Sequence, residues 1–594
     1  MKLSDYVAQF LAQQGIKYVF TITGGAAVHL IDSIAKTPGI SYICPQHEQA
    51  GAMAADAYAR VTENIGVAIS TSGPGATNMI TGICCSYYDS VPTLYITGQV
   101  ASFRLKCDMG IRQNGFQETD IIDMVKPITK YAVQVSDAVN IRYELEKAVF
   151  IAKSGRPGPV LVDICDDIQR NDITPDDLRK FIPELAATND EHLSDSIDAC
   201  IKLLNESIRP LLILGWGVHL SHARKEAKQL ADILKIPVTM TWGLKDLLPG
   251  DYPRLVSSFG THGTRYGNFA VQNSDLILVI GSRLDTHLTG TPFSTFARDA
   301  KKIIVDIDMN ELNKFSHCDV NIDIPINTDA KKFLQAILSQ RKKITIQNIS
   351  AWTNWLSQCQ TRFPITNSQK MLQHGVDPYL FVETLAKEST EGDIFFIDSG
   401  CAVAWMLQAF KCKKDQRIFS AFNNTPMGYA LPASIGACFA LDKRPVICVT
   451  GDGGLQMNIQ DLITIIRHNL PIKIFLLNNH GYSMVQQTQE QWLNSRYEAT
   501  TIDGGLGFPD FIKVAKAYGF EVINIVENKK LSMAIKKSFN KKGPIFCNVE
   551  IPSEARVIPQ VKFGRPIEDS EPFIERKEFL DNMIVLPLDV SLHD

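Results

Sequence analysis

The stretch that decides the fold is residues 445–485, PVICVTGDGGLQMNIQDLITIIRHNLPIKIFLLNNHGYSMV. Val446 to Val449 form an apolar, β-branched run that meets a sharp turn at Gly451-Asp452-Gly453. Ile459, Leu462, Ile465 and Ile466 then recur at helical spacing, and a second apolar run, Ile472 to Leu477, ends in Asn478-Asn479. The pattern predicts one βαβ unit with its polar residues at the carboxyl ends of two parallel strands, the edge where open α/β sheets bind ligands. Glycines 451, 453 and 454 permit close approach of an anion, and the following helix N-terminus favours negative charge. Asp452, the side-chain oxygen of Asn479 and the carbonyl of Gly481 are hard oxygen donors of the kind Mg²⁺ takes beside phosphate and water. A lone GDG is usually just a turn. GDG followed, after the 24 residues 454–477, by NN is far more specific.

Length and composition set the frame. A chain of 594 residues exceeds one core and implies about three domains. With 45% hydrophobic and 21% charged residues it reads as a globular protein, and a net charge of −4 without a basic stripe gives no sign of nucleic-acid binding. The thirteen cysteines are scattered without a CxxC, as expected of reduced thiols in the cytoplasm. No apolar run approaches the roughly 18–20 residues that span a bilayer, and Asp5 and Gln13-Gln14 interrupt the first segment as a signal peptide. No membrane association is expected.

Residues 1–185 alternate strand-like runs (Tyr18–Thr23, Ile40–Ile43, Gly66–Thr71, Thr93–Thr97) with helical ones, a doubly wound α/β pattern. Glu48 stands between a strand end and the alanine-rich GAMAADAYAR, where a carboxyl would be partly desolvated and able to share a proton with a heterocyclic nitrogen. Taken alone, it could simply be a helix N-terminal acid. A polar linker at 187–196 precedes a second α/β region, 190–345, with strands expected at Pro210–Gly215, Ile236–Thr241, Leu276–Gly281 and Ile303–Ile307. Its Gly215-Trp216-Gly217 does not complete a dinucleotide fingerprint. The third region, 365–552, holds the deciding stretch and a strand, Ile394–Ile397, that ends in Asp398-Ser399-Gly400 before a helix able to receive a phosphate. Residues 553–594 form a proline- and charge-rich tail that could be a lid or could wrap a neighbouring subunit.

HEQAGAMAADAYAR (47–60), TSGPGATN (71–78), MGYALP (427–432) and GDG…NN together resemble the thiamine-diphosphate (ThDP) enzymes, in particular the acetolactate synthase-like branch, over nearly the whole chain. The resemblance implies three doubly wound parallel-sheet domains: pyrimidine-binding, central Rossmann-like and diphosphate-binding. It implies that Glu48 bonds the aminopyrimidine ring, with Asn78 nearby, and that Gln117 faces the substrate, while Glu118 could be only a surface charge. Asp452, Asn479 and Gly481 would bind Mg²⁺. Gly400, Cys401, Ala402, Val403, Gly453, Gly454 and Tyr482 would meet the diphosphate end. Thr425 would accept from the 4′-amino group and Met427 would wedge the folded cofactor, although an isolated methionine is more often core.

In acetolactate synthases the central domain contributes to an FAD site without redox use. Phe259–Gly263 and Gly281-Ser282-Arg283 resemble parts of it but would equally cap strands, so FAD is the less favoured reading. His287 falls where the family has an arginine for the acceptor's carboxylate, and Thr488 falls where it has a tryptophan; Met484 joins them as a specificity position. The loop Gly98–Glu118 is about six residues longer than expected, a length typical of functional loops. It also lacks the adjacent histidines of the pyruvate decarboxylase branch. The expectation is therefore a carboligase that decarboxylates a 2-oxo acid, pyruvate first, and passes the acyl unit to a carbonyl acceptor. It would work as a homodimer or homotetramer with interfacial active sites. The alternatives are acetolactate synthase proper and a non-catalytic regulatory subunit of this fold.

Overall fold

A computed structural model describes residues 1–184, 192–366, 372 and 374–593. The first sheet contains β1 (Tyr18–Thr21), β2 (Ser41–Ile43), β3 (Gly66–Ser70), β4 (Thr93–Gln99), β5 (Tyr131–Val135) and β6 (Val160–Cys165). The second contains β7 (Pro210–Leu214), β8 (Val238–Met240), β9 (Leu276–Ile280), β10 (Lys301–Asp306) and β11 (Ile324–Asn327). The third contains β12 (Ile394–Ile397), β13 (Arg417–Phe419), β14 (Val446–Gly451), β15 (Ile472–Asn478), β16 (Glu521–Ile525) and β17 (Ile545–Glu550). All three are parallel, with orders β2-β1-β3-β4-β6-β5, β11-β10-β9-β7-β8 and β13-β12-β14-β15-β17-β16. Counted within each sheet, the first and third orders are identical. Helices cover both faces, which is why β14 and β15 read as unbroken apolar runs. They pair in register from Val446–Ile472 to Gly451–Leu477.

Strand order reverses between β1 and β3, between β7 and β9, and between β12 and β14. The crevices for ligands therefore open beyond Thr21 and Ser70, beyond Leu214 and Ile280, and beyond Ile397 and Gly451.

Several expectations shift in detail. The helix expected through Ile459–Ile466 is two helices, Asp452–Met457 and Leu462–Arg467. Asn458 leaves the helical region at φ −135° and turns its side-chain amide onto the Gly428 carbonyl at 2.8 Å. The expected linker at 187–196 lies in part, at 187–191, outside the described residues.

First and third domains join through two helices of small residues, Glu48–Thr62 and Ala430–Ala440. A Cβ on Gly436 would stand 2.0 Å from the Ala54 carbonyl oxygen, so the backbones touch and only glycine fits. A buried ionic cluster pins the joint. Arg60 pairs with Asp56 (2.6 Å) and Asp89 (2.8 Å) and donates to the Ser420 carbonyl. Tyr429 donates to Asp56, and Trp216 of the central domain donates to the Asp89 carbonyl.

The tail lies along its own chain. Val557 exchanges two hydrogen bonds with the Gln487 side chain, and Val561 N–H donates to the Thr261 carbonyl. Beyond that point the tail covers the back of the central domain. Arg265 donates to Ser570 and Pro572 carbonyls, Gln272 to Glu568, and Asn273 to the Asn582 carbonyl. All thirteen cysteines are free, and no helix among the described residues is long and apolar enough to cross a membrane.

Candidate functional site

In the third domain the loops after β14 and β15 converge on Asp452. Its carboxylate accepts from Gly453 N–H at 2.6 Å and from Gly481 N–H at 3.2 Å, tying the two strand ends together. Asp452 is 2% exposed, and burial pushes its carboxyl up to about 6. No lysine or arginine among the described residues is ion-paired with it. Asn479, also buried, turns its amide nitrogen to the Ser483 hydroxyl, which leaves its oxygen for another partner. A buried carboxylate lacking a cationic partner, an amide oxygen and the nearby Gly481 carbonyl suit a small hard cation.

The glycines beside Asp452 are required by contact. A Cβ at Gly453 would lie 2.3 Å from the Tyr482 ring and 2.6 Å from the Met427 methyl, and one at Gly454 would lie 2.9 Å from Asp398. Met427 and Tyr482 thus close over the Gly453 backbone. Asp398, buried at the end of β12, accepts from Gly428 N–H and from the Thr450 hydroxyl, so it locks the Met427 segment to the sheet. Sequence reading passed over this role of Asp398, although an aspartate ending a strand at an order reversal is itself a signal. Thr425 sits at φ +48° in the same segment. Gly400, at φ +73°, opens the helix Cys401–Ala409, and Cys401, Ala402 and Val403 make its buried first turn, whose leading N–H groups have no intrahelical acceptor.

The first domain carries a separate cluster. Glu48 starts its helix, whose cap is the His47 side chain accepting from Gln49 N–H. Asn78 donates to the Glu48 carboxylate at 2.9 Å, and a Cβ on Gly75 would sit 3.4 Å from its other oxygen. Gln117 is exposed at φ +64°, against Gly73. Glu118 is no surface charge. It is 7% exposed and accepts from the N–H groups of Lys106, Asn114 and Gly115, which hold its carboxyl below the usual range and fold the long loop around it.

The central-domain positions meet the third domain in a cavity of about 520 Å³ at the β7/β9 reversal. Gly217, Gly281, Arg283, His287 and Asp306 line it from one side; Gly400, Val403, Thr425 and Met484 line it from the other. Met484 and Thr488 lie one turn apart on the helix Ser483–Trp492. The structure therefore gathers His287, Met484, Thr425, Gly400 and Val403, while Glu48, Asn78 and Gln117 form their own group in the first domain.

This chain carries three matches to thiamine pyrophosphate enzyme families: the N-terminal TPP binding domain over residues 1–124, the central domain over 197–337 and the C-terminal TPP binding domain over 398–549. It is 34% identical to acetolactate synthase 2, chloroplastic, of Nicotiana tabacum, over 96% of this chain and 85% of that protein. It is 33% identical to the acetolactate synthase large subunit of Cyanidium caldarium, over 93% of this chain and 94% of that one. The chain belongs to the acetolactate synthase-like family of thiamine pyrophosphate-dependent enzymes.

Proposed function

We propose that this enzyme is a ThDP- and Mg²⁺-dependent carboligase that decarboxylates a 2-oxo acid, pyruvate first, and transfers the acyl unit to a carbonyl acceptor other than a second 2-oxo acid. Bound ThDP supplies the carbanion chemistry at its thiazolium carbon. Glu48, held by Asn78, hands over and takes back the proton at the cofactor's pyrimidine nitrogen. Asp452, the Asn479 amide oxygen and the Gly481 carbonyl hold Mg²⁺. The Gly453-Gly454 backbone and the Cys401–Val403 turn receive the diphosphate, with Tyr482 beside them. Met427 and Thr425 orient the rings, and Gln117 orients the donor.

The observation that carries the acceptor assignment is His287. Where the family resemblance places a carboxylate-binding arginine, this chain has an imidazole that burial pushes down to about 4, hence neutral near pH 7. Thr488, one turn from the cavity-lining Met484, is smaller than the tryptophan the resemblance places there. Product analysis by mass spectrometry, with pyruvate as donor and aldehydes, ketones, oxo-sugars and 2-oxo acids as acceptors, tests this directly. Acetolactate as the dominant product with every acceptor present would restore acetolactate synthase proper. No CO₂ from any 2-oxo acid would restore the regulatory-subunit reading.

Glu48 bonds only Asn78 of its own domain among the described residues, and Phe116, next to Gln117, is 86% exposed. Both facts support active sites completed by a second copy, in a homodimer or homotetramer, and the free cysteines suit a reducing, cytoplasmic setting. The cavity at the β7/β9 reversal favours a second occupant, and FAD is the candidate the resemblance supplies. The absorbance spectrum of the purified protein decides that point.

A further inference from the structure

We propose that the helix break at residues 458–461 is a brace for Glu48, and that Asp461 is its positioning residue, holding the loop before Glu48 from across the joint between the first and third domains. The inference rests on the role given to Glu48 above and adds the residues that keep its backbone in place. Asp461 accepts from Gln46 N–H at 2.9 Å, two residues ahead of Glu48. Asn458 meets the other side. Its amide oxygen lies 3.5 Å from the Gln49 side-chain nitrogen, at the long limit of a hydrogen bond, and its amide nitrogen lies 3.8 Å from the Met53 sulfur, one turn further along. That nitrogen also donates to the Gly428 carbonyl at 2.8 Å, next to Met427. Asn458 and Asp461 are both fully buried. The break thus ties the first turn of the Glu48 helix to the Met427 segment and, through the short helix Asp452–Met457, to the strand end at Asp452.

Two features of Asp461 fit holding rather than filling. It stands at the N-cap of the helix Leu462–Arg467, where an aspartate ordinarily accepts from its own helix's N–H groups, yet its side chain makes no such bond. Its Oδ1 takes Gln46 N–H and the Thr464 hydroxyl instead. Its Oδ2 is buried with no partner, and burial pushes the carboxyl up to about 6. For stability alone an apolar side chain of similar size serves this spot better, because a buried carboxylate without a cation is unfavourable. What the carboxylate does that leucine cannot is accept from Gln46.

The other fastenings of the joint act too far along the helix to do this. The Arg60 cluster grips its far end, about 18 Å from Glu48 at 1.5 Å per residue. The Gly436 contact falls at Ala54, nearly two turns in. The first N–H groups of a helix have no intrahelical acceptor, and here the His47 side chain takes only Gln49 N–H. Residues 458–461 are what fixes the first turn from outside, and a shift of about 1 Å at a proton-transferring group costs on the order of a hundredfold in rate.

The test compares Asp461→Leu and Asp461→Asn with wild type in the full-length protein. Without ligand, amide deuterium uptake by the peptide containing Gln46 reads the loop directly: leucine speeds it about tenfold, and asparagine, which keeps an acceptor for Gln46 N–H, leaves it within about twofold. With ThDP and Mg²⁺ bound, exchange of the thiazolium C2 proton for deuterium, read by NMR after acid quench, slows about tenfold to a hundredfold with leucine and recovers with asparagine. Release of CO₂ from pyruvate follows as a lower kcat at unchanged KM. Calorimetric ThDP uptake and melting temperature stay at wild-type levels in both variants. Unchanged C2 exchange in Asp461→Leu, or an asparagine variant as slow as leucine, overturns the proposal. So does a loss that tracks a lower melting temperature or weaker ThDP uptake, which would make Asp461 a packing residue of the joint. Failure of the carboligase reading shows separately, as normal C2 exchange in the wild type with no CO₂ from any 2-oxo acid.

Discussion

The first and third domains repeat one strand order and equip its reversal point in opposite ways. Between β1 and β3 the crevice is packed: a Cβ on Gly24 would sit 2.5 Å from the Thr71 side chain, and the chemistry there is one carboxyl, Glu48, held by one amide. In the third domain the loops after β12, β14 and β15 carry a buried carboxylate, a run of glycines and an amide oxygen that no described residue engages, a set that suits a cation and a diphosphate. On the proposed reading one scaffold presents a proton-handling group and the other an anchor, and the division lies in loop residues rather than in topology.

Substitutions at the two reversal points should separate these roles. Glu48→Gln is expected to lower CO₂ release from pyruvate by about 10²–10⁴-fold while calorimetry still records magnesium-linked ThDP uptake. Asp452→Ala should abolish the uptake itself. If both variants lose uptake alike, the contrast between the domains fails.

The joint between them comes next. Arg60→Met strands Asp56 and Asp89 in the interior and should cost about 3–5 kcal/mol, read as a fall in chemical-denaturation midpoint that Asp89→Asn in the same chain partly restores. Gly436→Val must push a methyl group toward the Ala54 carbonyl and should cost about 3 kcal/mol, seen as a lower melting temperature.

Smallest is a pH effect confined to the central domain. His262 and His287 titrate near 6.5 when unfolded and at about 3 and about 4 when folded, so the unfolded chain binds protons first as pH falls. Their penalty is absent above pH 6.5, grows as pH drops toward 4 and amounts to about 2 kcal/mol per ring at pH 5. His287→Phe should flatten the acid limb of the stability profile relative to wild type; an unaltered limb would show that these rings are not what makes it fall.

How much of this could be read from the chain depends on the range of the interactions involved. The unit at 445–485 was legible because both strands are buried on two faces and their polar residues follow at once. Its strands, its turn and the convergence of Asp452 with Gly481 all depend on local pattern. The helix break at Asn458 was not legible, since it follows from a bond to Gly428, thirty residues away. Glu118 read as a surface charge because nothing local reveals three backbone donors folded around it. Asp398 escaped for the same reason: it acquires its role from bonds to Gly428 and Thr450, on other segments of the domain. The alanine-rich helices were read as family signatures, while their small residues are equally explained by backbone contact across the joint.

The tail carries one consequence for how the molecule is made. Asn268, Gln272 and Asn273 are buried polar groups whose hydrogen-bond partners include residues between Ile567 and Val585. During synthesis the second domain therefore leaves the ribosome with part of one face unsealed and stays so until residues 567–585 have emerged. A segment some 300 residues further along the chain completes the middle of the protein, and a chain cut before that segment forfeits the closure while retaining every residue assigned to the cofactor.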